Sequence, residues 1–208
     1  MKILLTRPQG RNEELAEALR AVGHEVVCEP LIEVEPLGDD PIELGGYDWV
    51  LVTSVAGARE LRRRARGGAK RVAAIGRATA DALGGADLVP RVSTQEGLLA
   101  EIPRPAGRVL FAGAEAARRL LVDELEADFV PLYRTRELRP ESLPGTDLVV
   151  LASPSAARAF ARLALDTPAV SIGPETTAAA ETLGIRVVRE ATTQDVEGLT
   201  AAVAEATR

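Results

Sequence analysis

Cysteine and histidine each occur once in the 208 residues, as Cys28 and His24. A single cysteine allows no disulfide within the chain, and the two residues cannot supply a Cys/His zinc cluster. A Ser-His-Asp triad would have to recruit His24, which lies between Gly23 and Glu25 at a helix-to-strand turn, a surface-turn position. Aromatics make up only 3%. The core implied by a 46% hydrophobic fraction therefore has to be built from Leu, Val, Ala and Ile. Lysine is almost missing: only Lys2 and Lys70 accompany the arginines among 25 basic residues. Base composition of the source genome accounts for such a bias without any function, whereas arginine forks also suit carboxylate ligands. A formal net charge of −6 argues against broad nucleic-acid binding and leaves a local anion site open. No apolar run approaches membrane-spanning length. The chain begins on the strand pattern Ile3-Leu4-Leu5 with no secretory leader, so a soluble cytoplasmic protein is expected.

What is present is a β-then-α rhythm. Lys2 to Leu5 reads as a short strand, and Thr6-Arg7-Pro8-Gln9-Gly10 as a turn. Leu15, Ala18, Leu19 and Val22 then fall on one helix face. Asn12 stands where an N-cap is expected, with Glu13 and Glu14 in the first turn. Trp49-Val50-Leu51-Val52 and Leu148 to Leu151 read as strands of the kind parallel sheets bury, and Glu25 to Cys28, Val72 to Ile75 and Val109-Leu110-Phe111 read as further strands. Leu88-Val89 and Phe129-Val130 read as shorter ones. Helices are expected through Ala58, Leu61 and Ala65, and after Gly76, Ser93, Ser153, Gly173 and Thr192.

The rhythm restarts near Pro103. Asp48 to Ser54 matches Asp147 to Ser153, with the two serines 99 positions apart. Ile75-Gly76-x-x-Thr79 matches Ile172-Gly173-x-x-Thr176, with the threonines 97 apart. Ser93-Thr94-Gln95 matches Thr192-Thr193-Gln194, and Pro30-Leu31 matches Pro131-Leu132. Such a period is far too long for a solenoid. The chain is therefore a duplication of an α/β unit. Most matches fall where strands end and helices begin, where N–H groups lack helical partners and the dipole is positive. Short Gly, Ser and Thr residues there let an anion approach the backbone, at the edge where open α/β sheets bind ligands. Ser and Thr are also ordinary N-caps, so each residue has two readings.

Two extended segments, Leu31 to Pro36 and Leu132 to Leu138, occupy equivalent places in the repeat. Either the chain crosses between domains there, giving domain 1 as 1–35 plus 137–208 and domain 2 as 36–136, or two domains follow in sequence as 1–104 and 105–208.

Thr6-Arg7-Pro8, Leu51-Val52-Thr53-Ser54, Ile75-Gly76-x-x-Thr79, Pro131-Leu132-Tyr133-x-Thr135, Ser153-Pro154-Ser155 and Ile172-Gly173-Pro174-x-Thr176 together resemble the uroporphyrinogen-III synthase family. The resemblance runs almost end to end and rests on order and spacing. It implies two similar parallel-sheet, flavodoxin- or Rossmann-like α/β domains joined by a two-stranded β-ladder hinge, with linkers near 31–37 and 132–138. It also implies closure of hydroxymethylbilane to uroporphyrinogen III with loss of water and inversion of ring D, with no cofactor and no metal.

The octacarboxylate substrate would meet Arg7, Thr53, Ser54, Gly76, Arg77, Thr79, Ser153, Ser155, Gly173 and Thr176. Tyr133 matches a family tyrosine able to assist departure of the hydroxyl, or simply to pack in the hinge. A monomer is implied, with a contact to the enzyme that makes the bilane and with neither nucleic acid nor membrane as partner. Two departures stand out: the first serine turn reads Thr53-Ser54-Val55-Ala56 where the second reads Ser153-Pro154-Ser155, and the chain is short for the family. A non-catalytic tetrapyrrole-binding or sensor protein of the same fold is the alternative. A nucleotide-using, glycosyltransferase-like enzyme is a third reading, and the sequence has no phosphate-loop motif to support it.

Overall fold

A computed structural model describes residues 1–207. In chain order, β1 (Lys2–Leu5), α1 (Glu13–Ala21), β2 (Glu25–Cys28), β3 (Ile32–Pro36), β4 (Ile42–Glu43) and β5 (Trp49–Val52) lead to α2 (Val55–Arg64). β6 (Ala65–Arg66), β7 (Arg71–Ala74), α3 (Arg77–Leu83), α4 (Gln95–Glu101), β8 (Val109–Ala114), α5 (Leu120–Leu125) and β9 (Asp128–Glu137) follow. The chain ends with β10 (Leu148–Leu151), α6 (Pro154–Ala161), β11 (Ala169–Ser171), α7 (Pro174–Thr182), β12 (Val187–Glu190) and α8 (Val196–Ala206). Met1–Glu33 and Thr135–Arg208 form one compact unit, and Val34–Arg134 a second.

The first unit holds a five-stranded sheet in the order β12-β11-β10-β1-β2, parallel throughout. Its central strands β1, β10 and β11 bury both faces, so successive residues serve different cores. Ile3, Leu5, Leu148 and Val150 pack with Leu15 and Leu19 of α1 and Leu199 and Val203 of α8. Leu4, Val149 and Leu151 pack with Ala156 and Phe160 of α6 and Ala180 of α7. This is why the strands read as unbroken apolar runs rather than alternating ones.

The second unit's sheet runs β3-β9-β8-β5-β7, with the four strands from β9 to β7 parallel. Trp49, Leu51, Val109 and Phe111 pack with Leu98 of α4 and Leu121 of α5. Val50, Val52, Leu110 and Ala112 pack with Ala58 and Leu61 of α2. The chain leaves one unit for the other within β3 and within β9, which are neighbours in this sheet.

Several local readings change. The extended segment after Pro131 is not separate from Phe129-Val130: β9 is one ten-residue strand. Helix α2 stops at Arg64, because Ala65 and Arg66 turn extended and pair with Ile42 and Glu43. Leu88-Val89 forms no strand, only an isolated bridge from Leu88 to Ala73. Asn12 occupies the N-cap position of α1 with helical backbone angles and makes no side-chain cap; its Nδ2 donates to the Arg7 carbonyl instead, at 3.1 Å.

The two last helices of the repeat also realign. Thr94 caps α4 by accepting from the Gly97 N–H at 3.0 Å, whereas Asp195 caps α8 by accepting from the Gly198 N–H at 2.7 Å. Structurally, then, Thr94 corresponds to Asp195 and not to Thr193.

In α4, Glu96 receives both Arg118 terminal nitrogens, at 2.7 and 3.1 Å. The hydrogen bonds from Arg118 pull its pKa down to about 2. A depressed carboxylate pKa contributes stability above its ordinary range that is lost as pH falls from about 4.5 toward about 2. Both side chains are about half exposed, so screening keeps the contribution under about 1 kcal/mol. Urea unfolding of Glu96→Gln is expected to show that deficit at pH 6 and to converge on wild type near pH 2. A deficit independent of pH would disprove the ion-pair account.

Candidate active site

In the second unit, register brings the turn residues to one sheet edge. Val52, the last residue of β5, pairs with Ala74 and Ala112, and Ala114 pairs with Tyr133. Thr53, Ser54, Gly76 and Tyr133 therefore lie at the C-terminal edge of the same parallel sheet. Ser54 caps α2 by accepting from the Gly57 N–H at 3.0 Å. Its hydroxyl also meets the Tyr133 hydroxyl at 2.8 Å. Tyr133 is 7% exposed. Burial pushes its pKa up, and the Ser54 hydrogen bond opposes this only in part, so the phenol is protonated at neutral pH. With Ser54 donating, the Tyr133 proton is free for another acceptor; with Tyr133 donating, it is used internally.

Gly76 is the N-cap residue of α3, and Arg77, the first helical residue, is exposed. Thr79 is 4% exposed, and its N–H is bound to the Gly76 carbonyl at 3.1 Å.

The first unit repeats the pattern with different chemistry. Leu5 pairs with Val150, and Leu151 with Ser171, so Arg7, Ser153 and Gly173 follow strands that end together. Ser153 caps α6 by accepting from the Ala156 N–H at 3.2 Å, and its hydroxyl lies 3.0 Å from that of Ser155. Both serines are half-buried. Gly173 precedes α7 in extended backbone. A Cβ there would stand 2.8 Å from Gln194 Nε2, much as a Cβ on Gly76 would meet Ser93 Oγ at 3.2 Å. In each unit the loop before the capped helix, α4 in one and α8 in the other, closes over the glycine turn, which extends the Thr94–Asp195 correspondence to Ser93 and Gln194. Thr176 is 2% exposed, with its N–H on the Gly173 carbonyl at 3.0 Å. Thr79 and Thr176 thus sit beneath their turns, and Ser54, Ser153 and Ser155 present the more accessible hydroxyls.

Arg7 is half-buried; burial lowers its pKa, and the charges of Glu14 and then Glu13 partly restore it. Thr6, fully buried, donates to the Val150 carbonyl at 3.0 Å and ties the start of the Arg7 turn to β10.

One group escaped sequence reasoning. Thr177 bonds the fully buried Ser171 hydroxyl at 2.6 Å, the Gly173 carbonyl at 3.2 Å and the Glu190 carboxylate. The repeat pointed away from it, since the counterpart of Thr177 in the first half is Ala80. Among the described residues, no three His, Cys, Asp or Glu side chains converge to hold a metal ion. No helix among them is long and apolar enough to cross a membrane.

Comparison with known proteins gives one consistent result. Residues 13–201 match the family model described as uroporphyrinogen-III synthase HemD. A protein of Synechococcus elongatus named uroporphyrinogen-III synthase is 26% identical, over 97% of this chain and 93% of its own length. A Methanocaldococcus jannaschii protein given the same name provisionally is 28% identical, over 89% of this chain and 91% of its own. In fold, a crystal structure of a mutant uroporphyrinogen III synthase from Thermus thermophilus superposes with a TM-score of 0.66 at 16% identity, covering 100% of this chain and 98% of its own.

Proposed function

The chain belongs to the uroporphyrinogen-III synthase family, and on that premise we propose how its residues serve the reaction. The enzyme is a cyclising lyase of porphyrin biosynthesis: it closes hydroxymethylbilane to uroporphyrinogen III with loss of water and inversion of ring D. Loss of the terminal hydroxyl, which leaves as water after gaining a proton, gives an azafulvenium-like cation. The substituted carbon of ring D attacks it to form a spiro intermediate. That intermediate fragments and recloses at the other carbon, then loses the ring proton. No strong acid–base pair is required if the substrate is held curled with its ends together.

The observation that carries the residue assignment is the recurrence of hydroxyls and N–H groups at the C-terminal edge of both parallel sheets. Ser54, Ser153 and Ser155, with Thr53 and the glycine turns at Gly76 and Gly173, bind substrate carboxylates at helix N-termini. Arg7 and Arg77 add charge. Thr79 and Thr176 set the shape of their turns and touch substrate where a turn opens. Tyr133, its proton freed when Ser54 donates to it, hydrogen-bonds the departing hydroxyl. We assign the domains as 1–35 plus 137–208 and 36–136, each flavodoxin- or Rossmann-like, with β3 and β9 as the two-stranded hinge. The protein acts as a cytoplasmic monomer that receives bilane from the enzyme making it.

Purified protein supplied with freshly made hydroxymethylbilane is expected to yield the type III isomer; the type I isomer of spontaneous closure alone would overturn the assignment. Thr176→Ala is expected to slow type III formation more than Tyr133→Phe does. The first empties a fully packed position under the Gly173 turn. The second removes one hydroxyl worth about 1 kcal/mol, or roughly fivefold in rate. Initial rates of type III formation decide the order, and full activity in Thr176→Ala removes Thr176 from the site.

A further inference from the structure

The group formed by Ser171, Thr177 and Glu190 has no counterpart in the second unit. There Ala74 stands where Ser171 does and Ala80 where Thr177 does, both buried. Leu88 faces Ala73 as Arg189 faces Val170, which puts Val89 in the place of Glu190. The backbone of the two turns is nevertheless alike. The Gly76 carbonyl takes the Thr79 and Ala80 N–H groups at 3.1 and 3.0 Å, and the Gly173 carbonyl takes those of Thr176 and Thr177 at 3.0 Å each. Three polar side chains are therefore not needed to build such a turn.

Ser171 and Glu190 are register partners, so their side chains leave the sheet on one face, and Thr177 in the first turn of α7 meets both. Thr177 has one hydroxyl proton and two neighbours that only accept, the Gly173 carbonyl and the Glu190 carboxylate. The charged acceptor is the stronger. Ser171 then donates to Thr177 and Thr177 to Glu190, an order that uses both hydroxyl protons and ties the ends of β11 and β12 to α7. The first unit also lacks an equivalent of Arg77. Pro174 takes that place and brings an anion neither charge nor N–H. The Gly173 turn must therefore hold a carboxylate with fewer donors, and fewer donors bind well only when they are already aimed. A side chain on the glycine cannot supply that stiffness, since its Cβ would stand 2.8 Å from Gln194 Nε2.

We infer that Thr177, held between Ser171 and Glu190, is a positioning residue: it fixes the Gly173 turn in the aim that binds a carboxylate of hydroxymethylbilane. The inference rests on the synthase reading. Thr177 acts through the turn and not by touching substrate.

Initial rates of type III formation against hydroxymethylbilane concentration are measured beside hydrogen exchange of 135–207. Thr177→Val keeps the branched shape and removes the hydroxyl. It should raise KM about fivefold, the worth of one neutral hydrogen bond, with kcat within about twofold, and should loosen the unit because the Ser171 hydroxyl is left buried and unmet. Thr177→Ser should restore both. The triple variant Ser171→Ala, Thr177→Ala, Glu190→Val copies the apolar set of the second unit. It should regain wild-type protection and keep the raised KM. A KM that returns with protection makes Thr177 merely structural and overturns the inference. An unchanged KM in Thr177→Val, or a Thr177→Ser enzyme as impaired as Thr177→Val, overturns it as well. A triple variant that stays loosened shows that the turn needs these side chains to fold, and this too overturns it. In all these cases type III product from the wild type leaves the synthase reading standing. Type I product alone from the wild type overturns that reading and the inference with it.

Discussion

Gly198→Ala is expected to destabilise the protein by roughly 3 kcal/mol, against the ordinary sign of the change. In a helix interior, alanine is better than glycine by about 1 kcal/mol. Gly198 is the third residue of α8, where the chain before the helix folds back over the first turn. A Cβ built there would lie 2.2 Å from the Thr193 carbonyl oxygen and 2.5 Å from its hydroxyl. Both atoms belong to Thr193, two residues before the cap, and the hydroxyl is itself held on Asp195 at 2.7 Å. Relief therefore means moving the backbone that carries the cap, and overpacking of this kind costs about 1–3 kcal/mol, occasionally more. Loss of the Asp195 cap would add about 1 kcal/mol.

Gly97→Ala should behave alike in the second unit, where the Cβ would stand 2.0 Å from the Val92 carbonyl oxygen. Gly145→Ala, with nothing within 4 Å, is the control and should stay within about 0.5 kcal/mol of wild type. Because the chain comprises two compact units, one melting temperature need not describe both. Hydrogen exchange resolved by peptide is the better measurement: Gly198→Ala should loosen amides of 1–33 and 135–207, and Gly97→Ala those of 34–134. If either alanine variant is as stable as wild type, the tight approach of the preceding loop is wrong.

These glycines also show what a sequence can reveal. Buried strands are legible because both faces of a parallel sheet are covered, so Trp49 to Val52 and Leu148 to Leu151 can be nothing but apolar. Helix starts at Ser54 and Ser153 are legible because a strand end followed by a cap residue has a local signature. The Thr94–Asp195 correspondence is not, because the Thr-Thr-Gln match pairs Thr94 with Thr193, two residues short of the cap at Asp195. The Ser54–Tyr133 hydrogen bond joins residues 79 apart, and only the register of β5, β8 and β9 brings them together. The two-residue β4–β6 pairing is too short to leave a periodic trace. Thr177 is hidden for the opposite reason: it departs from the repeat that draws attention to its neighbour.

Arg7→Gln is expected to lower kcat/KM about thirtyfold, chiefly by raising KM. Partnered arginines elsewhere in the chain illustrate the contrast. Arg64, 8% exposed, gives hydrogen bonds to the Asp40 and Leu37 carbonyls at 2.9 and 3.0 Å, and Arg63 holds Asp39 and Glu60. Arg7 has been drawn out of water far enough for burial to lower its pKa, yet Glu14 and Glu13 act on it only at a distance, with no carboxylate in ion-pair range among the described residues. A cation so placed weakens the empty protein and binds an arriving carboxylate strongly, because its desolvation has already been met in folding. The missing hydrogen bond is worth about 2 kcal/mol, which is the thirtyfold quoted. The same reasoning fixes the sign on stability: Arg7→Gln should melt at or above the wild-type temperature. Arg7→Lys should restore only part of the affinity, since it returns the charge without the planar fork. Removal of a structural arginine would do the reverse, lowering the melting temperature while leaving KM alone. Steady-state kinetics and a thermal melt on the same two variants therefore separate a substrate-binding Arg7 from one that merely holds its turn.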